Sequence, residues 1–147
     1  MTGHYLLDTN VLSELMRERP AADVLDWFVR NARATLYTSV ITQAEILTGI
    51  ALIPAGKRRT ALAEAAEAMF EQDFSGRCLP FDAVAAKSHA LVVAQRTRLG
   101  QPISTEDAHI AAIAVANALT IVARHTKDFD QIDELAVVNP WQAITPH

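Results

Sequence analysis

The stretch Tyr5-Leu6-Leu7-Asp8-Thr9-Asn10 runs from a short apolar segment directly into an acidic residue. The apolar part is too short for a helix and shows no polar alternation, which predicts a strand buried on both faces. An amphipathic segment, 11–16, follows at once, and Asn10 is placed to cap the helix predicted there. Asp8 therefore lies at the carboxyl end of a predicted central strand, the edge where ligands bind in open α/β sheets. It is either a turn residue satisfied by backbone N–H groups or part of a binding site.

Length and composition indicate an ordinary globular protein. The 147 residues, half of them hydrophobic, predict a single domain, 1–147, with a sizeable core. Cys78 is the only cysteine, which excludes an internal disulfide and a cysteine-based zinc site and favours the reducing cytoplasm. We expect a cytoplasmic chain without a signal peptide or membrane helix, since the longest apolar stretch falls short of the ~20 residues that a membrane span needs. The net charge of −4 argues against a non-specific nucleic-acid coat protein.

Strand-like and helix-like segments alternate along the rest of the chain. Further strands are predicted at 36–39, 78–81, 119–123 and 136–138. Helices are predicted over 21–31, 41–50, 58–73, 83–99 and 108–119, with Val24, Leu25, Trp27 and Phe28 facing inward from the first of them. This order predicts an α/β fold, a parallel sheet with helices on both faces and all strands ending at one edge.

Acidic positions fall where that edge is predicted. They are Asp8, Glu45, Asp107 and the loop 124–128. Thr42-x-x-Glu45 and Ser104-x-x-Asp107 also have the form of capping boxes, so a structural role for two of the acids stays open. Carboxylates brought together would protonate, splay apart or bind a cation. Oxygen ligands without thiolates select Mg²⁺ or Mn²⁺, and such an ion polarises a phosphodiester and lowers the pKa of a bound water.

Other chemistries find less support in the sequence. P-loop spacing, a dinucleotide-binding glycine motif and a nucleophile elbow are all absent. Lys127 follows a late strand as in phospho-acceptor receiver domains, but such domains want adjacent acids after the first strand and Asp8 is followed by Thr9. His89 and His109 lie within predicted helices and are interpreted as structural or exposed.

Four ordered stretches carry a resemblance to a known family. They are LLDTNVLSE at 6–14, TSVITQAEILTG at 38–49, DAHIAA at 107–112 and VARHTKDF at 122–129, with Asn139-Pro140-Trp141 closing the pattern. Together they resemble the PIN-domain ribonucleases, in particular the VapC and FitB type toxins of type II toxin–antitoxin pairs, over essentially the whole chain. The resemblance implies a three-layer α/β/α fold with a central parallel sheet and an endoribonuclease that depends on Mg²⁺ or Mn²⁺. It also implies an RNA substrate, a cognate antitoxin of the VapB or FitA type and a homodimer.

The resemblance also implies roles for individual residues. Asp8, Glu45 and Asp107 match the three core acidic positions, as catalytic residues and metal ligands. The fourth position, usually Asp or Asn, holds His125, and Asp128 three residues on is a further catalytic candidate for that ligand. Side chains that could orient the carboxylates are Thr9 or Asn10 and Ser104 or Thr105, whereas Glu106 is expected to face solvent. Candidate phosphate contacts are Arg124, Lys127 and the basic cluster 57–59, with simple solubility as the alternative.

Two other functions stay open from the sequence. One is a weakly catalytic antitoxin-binding subunit of an autorepressing, DNA-bound toxin–antitoxin complex, because the fourth ligand position is altered. The other is a DNA nuclease or flap-type phosphodiesterase on the same fold, although the short chain offers no helical arch to grip DNA. The RNA target itself is not predicted beyond single-stranded loops, whose backbone and bases are exposed.

Overall fold

The protein is built around a five-stranded sheet, seen in a computed structural model that describes residues 3–142. The strands are β1 (His4–Leu7), β2 (Thr35–Ser39), β3 (Cys78–Leu79), β4 (Thr120–Val122) and β5 (Val137–Val138). They lie in the order β3-β2-β1-β4-β5, and every neighbouring pair is parallel. The predicted α/β fold with a central parallel sheet is confirmed.

Within residues 3–142, six α-helices connect and cover the strands. They are α1 (Thr9–Leu15), α2 (Ala22–Arg30), α3 (Val40–Ala51), α4 (Lys57–Ala68), α5 (Ala83–Arg98) and α6 (Thr105–Ala116). The helix predicted over 58–73 leaves α geometry at Met69, where a π-helical turn to Asp73 begins, and Met69, Phe70 and Phe74 are all buried there. Leu25 was predicted to face inward but is 43% exposed, whereas Val24 and Trp27 of α2 are buried and Phe28 is partly buried against the core. Within residues 3–142, no helix combines the length and apolar character that a membrane span requires.

The two faces of the sheet bury separate clusters of side chains. Leu6 of β1 packs with residues of α5 and α6, whereas Leu7 packs with residues of α1, α2, α3 and α4. Both leucines are at most 1% exposed, as expected when successive side chains of a central strand point to opposite covered faces. The three layers of helix, sheet and helix follow from this alternation.

The order of strands places a switch point beside β1. The chain moves from β1 to β2 and β3 on one side, then returns across them to β4 and β5 on the other. In such sheets the crevice that binds ligands opens at the carboxyl ends of the strands on either side of the reversal. The Asp8 N–H donates to the Val122 carbonyl at 2.9 Å, so the residue after β1 is fixed at the mouth of this crevice.

Candidate active site

Asp8 is buried at the switch point, with 7% of its surface exposed. Its backbone is extended and it stands at the N-cap of α1, where its carbonyl accepts from the N–H groups of Val11 and Leu12 at 3.0 and 3.3 Å. The prediction that Asn10 caps this helix is wrong, because the helix already begins at Thr9 and a cap needs the extended backbone that Asp8 has. The Asp8 side chain itself makes no capping hydrogen bond, which leaves its carboxyl available to the crevice.

The surroundings of Asp8 disfavour its charge. Burial is the main cause that raises the pKa of this carboxyl from 3.8 to about 7, against the lowering effect of the Thr9 backbone N–H. The negative charges of Asp107, Glu45 and Asp128 raise it further. These three acids come from α6, α3 and the turn after β4. The fold therefore brings them close enough to Asp8 for their charges to act on its carboxyl.

Glu45 lies in the second turn of α3, free of the capping role that its sequence context suggested. The Ser39 hydroxyl caps this helix and accepts from the Thr42 N–H at 3.2 Å, so the predicted Thr42-x-x-Glu45 box is wrong. Burial, followed by the charges of Asp107 and Glu106, raises the pKa of Glu45, and the Thr9 hydroxyl lowers it. Thr9 and the buried Thr42 share a hydrogen bond between their hydroxyls at 3.1 Å, which ties α1 to α3 beside this carboxylate.

Asp107 is held in the first turn of α6. The Ser104 hydroxyl accepts from the Asp107 N–H at 3.2 Å, which confirms Ser104 as the helix cap. Burial raises the pKa of Asp107, as do the charges of Asp128 and Glu106, while Ser104 and the cationic Arg96 lower it. Glu106 is exposed as predicted, yet its charge still acts on both Glu45 and Asp107.

The fourth position lies in the loop after β4. A short 3₁₀ turn, Thr126–Phe129, follows His125 and is anchored by Phe129, which is 1% exposed. His125 and Asp128 both have exposed side chains. The charge of Asp128 raises the pKa of Asp8 and of Asp107, whereas within residues 3–142 His125 is not among the groups that shift either one. Of the two candidates, Asp128 is thus the one whose charge acts on Asp8 and Asp107.

The donor set suits a hard divalent cation without being assembled into a ligand shell. Within residues 3–142, no three side chains of His, Cys, Asp or Glu are grouped closely enough to hold a metal ion. The charges of Asp107, Glu45 and Asp128 are nevertheless near enough to raise the pKa of Asp8, and carboxylate oxygens are the ligands that Mg²⁺ and Mn²⁺ prefer. A cation beside Asp8 offsets the repulsion that disfavours its charge. The residues present fit such an ion in charge and in donor type.

A groove of about 890 Å³ opens beside the carboxylates. Thr9 and Glu45 lie in its wall, and Arg17, Arg19 and Arg58 add positive charge along it. Among the predicted phosphate contacts, Arg58 thus lines the groove.

Two further predicted phosphate contacts, Arg124 and Lys127, are exposed in the loop after β4. The Arg124 guanidinium lies 5.0 Å from the centre of the Trp141 ring, and the Asn139 amide donates to the Arg124 carbonyl at 3.0 Å. These contacts tie Arg124 to the closing Asn139-Pro140-Trp141 segment.

The sequence did not predict the burial of two polar side chains near the carboxylates. Thr42 is fully buried and bonds to Thr9, and Arg96 is only 5% exposed. A cation in the last turn of a helix is ordinarily a surface residue that complements the helix dipole, so the sequence carried no signal that Arg96 is buried.

Comparison with known proteins agrees with the fold. The family model described as PIN domain matches residues 5–135. The chain is 46% identical over 138 residues to the plasmid stability protein StbB of Pseudomonas syringae pv. tomato, covering 94% of this chain and 99% of that protein. It is 42% identical over 137 residues to the VapC ribonuclease Y4jK of Sinorhizobium fredii, covering 93% of this chain and 97% of that one. Identity to Toxin FitB of Neisseria gonorrhoeae is 39% over 136 residues, with 92% and 97% covered.

A solved structure shows the same architecture. The structure of FitAB bound to an IR36 DNA fragment matches with a TM-score of 0.89 and 37% identity, covering 97% of this chain and 99% of that one. The family match thus spans most of the sequence, and relatives well above 30% identity align over nearly their whole length. This chain belongs to the PIN-domain family, alongside proteins named as VapC ribonucleases and FitB toxins.

Proposed function

We propose that this chain is an endoribonuclease that depends on Mg²⁺ or Mn²⁺ and serves as the toxin of a type II toxin–antitoxin pair. Two of its relatives are named as a VapC ribonuclease and as Toxin FitB, which supports both parts of the proposal. The alternative of a weakly catalytic antitoxin-binding subunit rests on the altered fourth position, and we propose that Asp128, whose charge acts on Asp8 and Asp107, compensates for that change.

One observation carries the proposal for the chemistry. Asp8 is a buried carboxyl at the switch point of the sheet, and its pKa is raised to about 7 by burial and by three other carboxylates. A buried acid with a purely structural role is satisfied by donors or by a cationic partner. Apart from the Thr9 backbone N–H, Asp8 stands among like charges, which is the arrangement of a site that takes up a cation.

The proposed roles divide among the residues of the cluster. Asp8, Glu45 and Asp107 hold the ion, and Asp128 rather than His125 completes the set. Thr9 and Ser104 orient Glu45 and Asp107 by hydrogen bonds. When bound, a divalent ion supplies Lewis-acid polarisation of a phosphodiester and lowers the pKa of an attacking water. Because three ionised carboxylates repel the phosphates of RNA, substrate affinity depends on the metal.

The groove beside the site offers a path for the RNA strand. Arg17, Arg19 and Arg58 are placed along it to contact backbone phosphates, which position a strand without reading its sequence. Arg124 and Lys127 lie in the loop after β4, next to Asp128, and are proposed to hold the strand on that side of the crevice.

The proposed partner is an antitoxin of the FitA or VapB type, with the toxin acting as a homodimer. The solved relative is described as FitAB bound to DNA. This chain has a net charge of −4, so in a comparable complex the antitoxin would supply the DNA-binding surface.

Cleavage of single-stranded RNA by the purified chain tests the proposal. Activity should be lost in EDTA and restored by excess Mg²⁺ or Mn²⁺. Asp107→Asn should be inactive with an unchanged circular dichroism spectrum, whereas Glu106→Gln, which removes the neighbouring exposed charge, should retain activity. Cleavage that persists in saturating EDTA, or an active Asp107→Asn protein, contradicts the metal mechanism.

A further inference from the structure

Arg96 is a buried cation at the end of α5. It is only 5% exposed, although the helix belongs to the outer layer of the fold. Burial of a guanidinium is costly unless its N–H groups are satisfied. The three hydrogen bonds that Arg96 donates all go to backbone carbonyls, those of Gln101, Asp128 and Asp130, at 2.8, 2.9 and 3.2 Å.

These carbonyls belong to the two segments that carry candidate metal ligands. Asp128 and Asp130 lie in the loop after β4, and the carbonyl bonded is that of the candidate ligand Asp128 itself. Gln101 lies in the short connection to α6, three residues before Ser104, whose hydroxyl caps the helix that presents Asp107. Gln101 also donates its own N–H to the Arg96 carbonyl at 2.9 Å, so two hydrogen bonds of opposite direction join these residues.

We infer that Arg96 is a positioning residue for the proposed active site, because its guanidinium fork fixes the segments carrying Asp107 and Asp128 relative to each other. Nε holds one segment and a terminal nitrogen holds the other. A lysine has a single charged centre on a flexible stem, so it keeps the charge but not this planar geometry. This role rests on the proposed function, which makes the two acids ligands of one ion.

A matched control lies next to Arg96. The Gln95 amide donates to the Asp133 carboxylate and accepts from the Asp133 N–H, both at 2.9 Å. Gln95→Ala therefore removes two hydrogen bonds between α5 and the same region of chain, at a residue outside the carboxylate cluster.

The test compares wild type, Arg96→Lys, Arg96→Met and Gln95→Ala in two measurements made well below their melting temperatures. The first is amide hydrogen exchange in EDTA. Arg96→Lys should exchange faster than wild type in both 101–104 and 128–130, whereas Gln95→Ala should change exchange only around Asp133. If Arg96→Met does not fold, Arg96→Lys, which keeps a buried charge and most of the stem, decides the result.

The second measurement is Mn²⁺ affinity by calorimetric titration. Loss of groups that orient metal ligands typically weakens binding or activity by 10- to 100-fold, and we expect Arg96→Lys to weaken Mn²⁺ binding by about 10-fold or more. RNA cleavage should fall through kcat more than through KM. Wild-type Mn²⁺ affinity in Arg96→Lys, or an equal loss in Gln95→Ala, overturns the positioning role. If wild type itself neither binds Mn²⁺ nor cleaves RNA, the proposed function fails. Unchanged hydrogen exchange in Arg96→Lys separately refutes the positioning role of Arg96.

Discussion

Two buried carboxyl groups at opposite ends of α1 behave in opposite ways. Asp8 is 7% exposed and Glu14 is 5% exposed, so the two are equally removed from solvent. The pKa of Asp8 is raised to about 7, whereas the pKa of Glu14 is lowered. Glu14 accepts the Ala21 N–H at 2.9 Å, the main cause of its lowered pKa, and also pairs with Arg17 at 3.3 Å.

Burial acts to raise the pKa of both acids, so their partners explain why the two shifts have opposite directions. Glu14 is satisfied by a backbone donor and a cation, and it fastens the connection between α1 and α2. Asp8 faces three further carboxylates, so its ionised form gains from a cation that the chain does not supply. Glu14 is a structural acid, and Asp8 has the properties expected of a metal ligand.

The largest expected effect is on catalysis, and it separates the two acids. Asp8→Asn should lower RNA cleavage by more than about 100-fold, since loss of a direct ligand should cost more than loss of a group that orients one. Glu14→Gln should keep its kcat under conditions where it is folded. Single-turnover assays with saturating Mn²⁺ measure both, and an equal loss in the two variants would remove the distinction drawn between them.

The next effect is on stability and depends on pH. In EDTA, folded wild type holds the Asp8 proton up to about pH 7 while the unfolded chain releases it near 3.8, so the free energy of unfolding should fall as pH rises between those values. Across this pH range the raised pKa of Asp8 lowers the free energy of unfolding by at most about 4 kcal/mol. Asp8→Asn should flatten this dependence and melt at a higher temperature than wild type at pH 8. Denaturant titrations at a series of pH values check it, and a wild-type curve that rises through the same window would be incompatible with the raised pKa.

Glu14 should show the reverse sign. Its lowered pKa means that its ionised form stabilises the fold above the ordinary pKa of a glutamate, and that this contribution disappears as pH falls through the lowered value. Glu14→Gln should therefore be less stable than wild type at pH 7, the opposite of Asp8→Asn. Thermal melts of the two variants in the same buffer provide the comparison, and a stabilised Glu14→Gln protein would speak against it.

The smallest effect concerns the fourth position. The charge of Asp128 acts on Asp8 and Asp107, so Asp128→Asn should reduce cleavage by about 10-fold with either metal. His125→Asn should cost less, and any change should appear as a shift in preference between Mn²⁺ and Mg²⁺, since imidazole favours the former. Cleavage rates of both variants with each metal test whether Asp128→Asn loses more activity than His125→Asn. The larger loss would be in His125→Asn if His125 rather than Asp128 were the ligand.

The sequence predicted the sheet better than it predicted local contacts. The apolar run before Asp8 and the alternation of strand-like and helix-like segments were enough to predict the parallel strands and the edge at which they end. The caps of α1 and α3 were misplaced, because Asp8 and Ser39 compete with nearby residues of equal capping propensity and only the backbone conformation decides.

Other features of the site depend on the folded chain and leave no local pattern. The buried state of Arg96 comes from carbonyls five to 34 residues away in the chain. The contrast between Asp8 and Glu14 likewise depends on which groups the fold brings beside each carboxyl. Neither helical periodicity nor a sequence motif predicts which distant groups will lie beside a given side chain.

The most direct test is a crystal structure of the protein soaked with Mn²⁺, with the ion located by its anomalous scattering. We predict an ion at the carboxyl ends of β1 and β4, with oxygens of Asp8, Glu45 and Asp107 at about 2.0–2.6 Å from it. An ion bound elsewhere, or these three carboxylates remaining apart in the presence of excess Mn²⁺, would contradict the account.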